Sequence, residues 1–210
     1  AFAENDYALS VATVAQLLSK YPESPMRAAG LLVQGEALIE LARFDEAVLV
    51  LDRVSSIPGV SAGERLRSQT LRADALFAMG ADNPKRYQEA LDVYRMVLMG
   101  EDLSPSMRLS IAFKVGRTLE KLRRQDEATD QYYTQVVLAY REGRARGVHY
   151  DDEARAAFSR AVFRLADEME SRGESYQAVR VLELLVASDV PAASEAARRI
   201  ERMKKKGNYL

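Results

Sequence analysis

The stretch LLVQGEALIELARFDEAVLVLDRVSSIP, residues 31–58, carries apolar residues at helical spacing on both sides of Phe44 and closes on Pro58. After Ala47 the apolar positions are Val50, Leu51 and Val54, the i, i+3, i+4, i+7 stripe of an amphipathic helix with one buried face. Gly35 lies inside the apolar run ahead of it. Glycine inside a helix costs about 1 kcal/mol relative to alanine, so its presence there predicts close approach by a second helix. The stretch reads as two helices packed back to back across a tight turn.

The unit recurs. Phe44-Asp45-Glu46-Ala47-Val48 is echoed by Tyr87-Gln88-Glu89-Ala90-Leu91, by Gln125-Asp126-Glu127-Ala128-Thr129 and by Ser175-Tyr176-Gln177-Ala178-Val179. A weaker copy, Asp6-Tyr7-Ala8-Leu9, opens the chain. The alanines at 8, 47, 90, 128 and 178 are separated by 39, 43, 38 and 50 residues, so the excess of the last interval must sit in a loop or a lengthened helix. Val93, Tyr94, Val97 and Leu98 follow Ala90 at helical spacing, and Val181, Leu182 and Leu185 follow Ala178. A small residue precedes each alanine on an upstream helix: Gly35, Ala73, Gly116 and Ala166. Small residues facing alanines across paired antiparallel helices would let the helices pack closely.

Helices are expected over 5–21, 24–42, 45–57, 62–79, 84–99, 104–123, 125–141, 151–172, 174–188 and 191–205. Ser24-Pro25 and Ser104-Pro105 each place an N-cap ahead of a first-turn proline, as does Asp82-Asn83-Pro84. Pro22, Pro58 and Pro191 punctuate other joints. The closing helix ends in Lys204-Lys205-Lys206, which suits the negative end of a helix dipole.

Composition agrees with an all-α chain. The 210 residues include six prolines, eleven glycines and no cysteine, which excludes a disulfide framework and a thiolate metal site. A net charge of −1 argues against a generic nucleic-acid binder. No apolar run approaches the roughly 20 residues of a membrane span. Ala1-Phe2-Ala3 starts without an initiator Met, which suggests a trimmed product, and the Ala-x-Ala pattern hints at export.

Catalytic signatures are sparse. The single histidine, His149, lies in REGRARGVHYDD (141–152) beside Asp151 and Asp152, which are not at helical metal-ligand spacing from it. Gly143-Arg144-Ala145-Arg146-Gly147 lacks the strand and the Lys-Ser/Thr of a phosphate loop. The scattered glutamates read as solvated faces rather than a buried acid pair. No cofactor is expected. Arg141, Arg144, Arg146, His149 and Tyr150 form a basic, aromatic patch that reads either as an interface or as a solvated loop.

Residues 31–58 resemble a tetratricopeptide repeat: small Gly35 in the first helix, Phe44 at the turn, Ala47 in the second helix and Pro58 at the close. IAFKVGRTLEKLRRQDEATDQYYTQVV (111–137) matches less fully, with Gln125 at the aromatic position and Ala112 where the first-helix aromatic is usual. The resemblance implies one right-handed superhelical solenoid over 1–210. It would comprise a half-repeat over 1–22, repeats near 24–58, 61–100, 104–142 and 151–189, and a capping helix over 191–206. Such units bury their apolar faces only by stacking. It also implies a non-enzymatic scaffold whose first helices line a concave groove for a protein or peptide segment. Projected on that pattern, the wall is Leu32, Glu36 and Glu40, then Thr70, Asp74 and Phe77, then Phe113, Arg117 and Glu120, then Arg160, Phe163 and Asp167. The phenylalanines are either exposed anchors or core. The Lys and Asn with which one subclass clamps a C-terminal carboxylate are absent from these positions.

LSKYPESPMRAAGLLVQG (18–35) resembles the variant found in bacterial cell-envelope tetratricopeptide proteins, where a Tyr-Pro-x-Ser-Pro joint links units. These include outer-membrane assembly lipoproteins and the coordinator of the Tol–Pal system. The resemblance implies an adaptor exported to the periplasm or envelope. A cytoplasmic adaptor with the same fold is the alternative, and an enzyme on an α-solenoid a third. The joints SSIPGVS (55–61) and MGEDLSPS (99–106) depart from the pattern.

Overall fold

The computed structural model describes residues 6–205. Residues 1–5 of the expected half-unit and Lys206 lie outside the described residues. The chain divides into two compact units, Ala1–Asp102 and Leu103–Leu210, with the division inside the joint expected near 100–104. Among the described residues every regular element is a helix, ten in all, and the protein is all-α.

The first unit holds α1 (Tyr7–Lys20), α2 (Arg27–Glu40), α3 (Phe44–Ser55), α4 (Ala62–Met79) and α5 (Lys85–Leu98). Each helix packs on the one before it, and α2 also meets α4, so α3 is enclosed by α2 and α4. Its core gathers Leu31, Leu32, Leu38, Ala47, Leu51 and Val54, with Val11 and Leu18 of α1 packed alongside.

The second unit holds α6 (Pro105–Lys121), a long α7 over 125–145, α8 (Asp152–Ser171), α9 (Ser175–Val186) and α10 (Ala193–Lys205). Here α8 packs on both α6 and α7, and α9 lies between α8 and α10. α7 is α-helical over Gln125–Asp130, opens into a π-helical segment over Gln131–Leu138 and closes again over Ala139–Ala145. The long interval between repeats is therefore a lengthened helix that takes in Arg141 and Arg144. Buried Ala128, Tyr132, Val136 and Tyr140 are spaced strictly by four. In an α-helix of 3.6 residues per turn that spacing drifts off one face. The wider turn of a π segment brings it back.

Of the five repeat alanines, Ala47, Ala90, Ala128 and Ala178 are fully buried, as are Ala73 and Ala166, whereas Ala8 of the weaker opening copy is exposed. The two glycines make the close approaches their cost predicted, but to residues one turn beyond the alanines. A Cβ on Gly35 would stand 2.5 Å from Leu51, and one on Gly116 would stand 2.3 Å from the Tyr132 ring.

Three of the helix pairs share one link. Just past its end α2 is followed by Ala42 at φ +55°, α6 by Arg123 at φ +59° and α8 by Gly173 at φ +77°. In each, the next N–H donates back five residues: Arg43 to Leu38 (2.9 Å), Arg124 to Leu119 (3.0 Å) and Glu174 to Met169 (2.8 Å). This is the Schellman closure, and it reverses the chain in three residues.

Ser104 caps α6 through the Met107 N–H at 3.2 Å, with Pro105 in the first turn. The other two proline joints differ from expectation. α2 starts at Arg27, and Ser24 instead accepts from the Met26 N–H at 3.2 Å in a preceding turn. α5 starts at Lys85, after Asn83 has turned the chain. Ser61 and Glu64 form a reciprocal capping box on α4.

Candidate partner-binding surface

The expected wall residues fall into two groups, one on each unit. In the first, α2 is covered by α1, α3 and α4, so Glu40 is its one exposed side chain. Leu32 is 3% exposed and belongs to the core; it cannot form a groove wall. Glu36 accepts from the Arg67 Nε at 3.0 Å and also pairs with its Nη2, tying α2 to α4. Thr70 donates back to the Leu66 carbonyl at 2.9 Å. Asp74 accepts from the Tyr94 hydroxyl at 2.5 Å. Phe77 packs edge-on against Tyr87, with ring centroids 5.3 Å apart. The wall of this unit is thus largely committed to holding itself together.

The second unit is more open. Phe113 is 5% exposed, tilted against Tyr132 at 5.6 Å, and like Leu32 is core rather than wall. Glu120 lies 3.9 Å from Arg164, too far for a tight pair. The Tyr132 phenol is buried without a hydrogen-bond partner. Burial, with the Glu120 carboxylate nearby, pushes its pKa well above the ordinary tyrosine range. Asp167 bonds Arg199 of α10 at 2.7 Å. Although burial opposes the charge on Arg199, bonds to Asp167 and Glu170 more than offset it and hold the guanidinium above its usual pKa.

Arg160 and Phe163 come together. They line an open cavity of about 630 Å³ between α8 and the joint that leads into α10. Pro191 and Ala192 close one side, and Arg155 and Glu195 stand on the rim. Phe163 is half-buried and Arg160 exposed. Arg155 is engaged by Asp152. The cavity offers an apolar floor and a cation beside it, the combination that seats an apolar anchor next to an acidic group. The repeat resemblance pointed to Arg160 and Phe163. The contribution of the 190–195 joint had no signal in the chain, because it depends on how α10 returns.

The basic patch around 141–150 is not a loop surface as a whole. Tyr150 tucks under α7: its hydroxyl donates to the Ala139 carbonyl at 3.2 Å and sits where a Cβ on Gly143 would be. Its ring stacks on Tyr140 at 4.8 Å, and Tyr140 stacks on Phe158 at 4.1 Å. Burial pushes both phenols up in pKa. Tyr150 is therefore a packing residue. Arg144, Arg146 and His149 remain exposed, and Arg141 turns to a second groove of about 690 Å³ between α7 and α9, with Tyr133, Met169 and Leu184.

Among the described residues no group of three His, Cys, Asp or Glu side chains is placed to hold a metal ion. Within the same residues no helix is long and apolar enough to cross a membrane. The chain matches no family model and no curated protein sequence.

Proposed function

We propose that the chain is a tetratricopeptide-type scaffold whose second unit docks a segment of a protein partner in the Arg160–Phe163 cavity. The observation that carries this reading is the half-buried Phe163 beside an exposed Arg160 in an open cavity, whereas Phe113 is core and the half-buried Phe77 is held against the Tyr87 ring. The repeated small-residue contacts and Schellman links support a solenoid of helix pairs, and a right-handed superhelix is proposed with it. The role is that of an adaptor, without catalysis. The Tyr21-Pro22-x-Ser24-Pro25 joint supports a place in the bacterial periplasm or cell envelope.

A displayed random-peptide library selected on the full chain tests the docking directly. Enriched sequences should share an apolar residue next to an acidic one, and should lose binding to Phe163→Ala and to Arg160→Glu. Binding undiminished by both changes would remove the cavity from the account. The location is tested by fractionation of the source cell: a cytoplasmic protein would contradict the envelope reading and leave the docking reading standing.

A further inference from the structure

α1 stands apart from the other helices in what it shows to solvent. Residues 7–19 contain no charged side chain, in a chain that is 29% charged. Val11 and Leu18 face the core of the first unit, and Val14 and Leu18 reach to within 3.5 Å of the Cβ position of Gly30. The opposite face carries Leu9, Ala12, Thr13 and Leu17, all exposed; both leucines are 52% exposed. On α3, the equivalent second helix of its pair, exposed positions include Asp45, Glu46, Asp52 and Arg53. Among the described residues α3 packs on both α2 and α4, whereas α1 packs mainly on α2. An uncharged apolar helix face in water is the signature of an interface core.

The pattern on that face is self-complementary. Taking Thr13 as centre, Leu9 and Leu17 lie four residues to either side, and Asp6 and Lys20 lie seven residues to either side. Offsets of four and seven keep all five on one helical face. If a second α1 runs antiparallel with the two-fold axis at Thr13, each Leu9 meets the Leu17 of the other copy. Each Asp6 then meets the other copy's Lys20. Ala12 and Thr13 are small enough at the crossing to let the axes approach. Among the described residues neither end is paired with an opposite charge. Asp6 caps the helix by accepting from the Leu9 N–H at 3.0 Å, and the Lys20 ammonium lies 5.4 Å from the Tyr21 ring centroid.

We infer that the outer face of α1 is a homodimer interface, closed by a second copy of this chain in antiparallel, two-fold register about Thr13. Two-fold dimers are the commonest closed assembly, and an isologous interface requires this kind of mirrored patch. One 14-residue helix per copy covers less than a standard interface, so the dimer is reversible and concentration-dependent.

The absence of cysteine makes the register directly measurable in this 210-residue chain. Thr13→Cys, at the axis, should oxidise to a disulfide dimer at least about tenfold faster than the exposed control Ser55→Cys, because pairing raises the effective concentration. A mixture of Leu9→Cys and Leu17→Cys chains should cross-link to each other, while each alone should cross-link slowly. Sedimentation velocity should show wild type shifting towards dimer with concentration, and a chain carrying Leu9→Glu and Leu17→Glu monomeric throughout, with unchanged helical circular dichroism. Three results would overturn the inference: wild type monomeric at every concentration, Thr13→Cys no faster than the control, or Leu9→Cys alone as fast as the mixture.

Discussion

Tyr94 and Tyr132 occupy the same place in their repeats, four residues after Ala90 and Ala128, one in each unit. Both are 2% exposed. The first donates its hydroxyl to Asp74, the residue after Ala73. At the corresponding place after Gly116 stands Arg117, whose guanidinium has no acceptor to offer. Tyr132 is left with a buried, unpartnered phenol. The second unit gives up the alanine Cβ so that the ring can lie across Gly116, and opens α7 into a π segment over the same residues. One repeat position thus solves the same packing problem twice, once by a short hydrogen bond and once chiefly by shape, with the Glu120 carboxylate near the phenol.

The largest expected effect tests the shape solution. Gly116→Ala places a methyl 2.3 Å from a rigid ring, and overpacking of this kind costs about 1–3 kcal/mol or more despite alanine's better helix propensity. Gly35→Ala meets the branched end of Leu51 at 2.5 Å and should cost less, since that side chain has rotamers to use. Denaturant unfolding of both variants ranks them; Gly116→Ala as stable as wild type would mean that the ring does not need the glycine.

Next comes the hydroxyl. Tyr94→Phe removes the bond to Asp74 and should destabilise by about 1–2 kcal/mol. Tyr132→Phe removes an unpaired polar atom and should be neutral or stabilising. Equal losses would break the contrast.

The same phenol predicts a pH dependence. The fold keeps Tyr132 neutral beyond the pH at which the unfolded chain ionises, so the unfolded state gains by releasing that proton first. Its contribution is fully present below the unfolded tyrosine value of about 10 and falls as pH rises above it. Tyr132→Phe should lose less stability than wild type between neutral and strongly alkaline pH.

The smallest effect separates the links. Ala42 and Arg123 hold left-handed backbone that glycine adopts freely, while Gly173 already has it. Ala42→Gly and Arg123→Gly should each stabilise by up to about 1 kcal/mol, read from denaturation midpoints.

Much of the helix order could be read from residue spacing, because each pair repeats an alanine and a small partner at helical period. α4 runs over Ala62–Met79 as expected, and every other helix starts and ends within a few residues of expectation. The faces were harder to read. Leu32 and Phe113 project towards the groove on a simple repeat template, yet α2 and α6 each have neighbours on several sides. Spacing along one helix cannot count the helices that will surround it. The π segment left a trace in the four-residue spacing of Ala128, Tyr132, Val136 and Tyr140, but that spacing also fits a drifting α-helix. Gln125, read as a lost turn aromatic, reaches Glu168 of α8 at 2.7 Å, a polar tie between consecutive repeats that no local pattern announces.

The central claim is that partners engage the second unit at the Arg160–Phe163 cavity. Hydrogen–deuterium exchange of the wild-type chain, with and without a library-selected peptide, tests it most directly. The account predicts new protection in the first half of α8 and the 190–195 joint. Protection confined to α7 and α9, around Tyr133 and Leu184, would contradict it and move the docking site to the other face of α8.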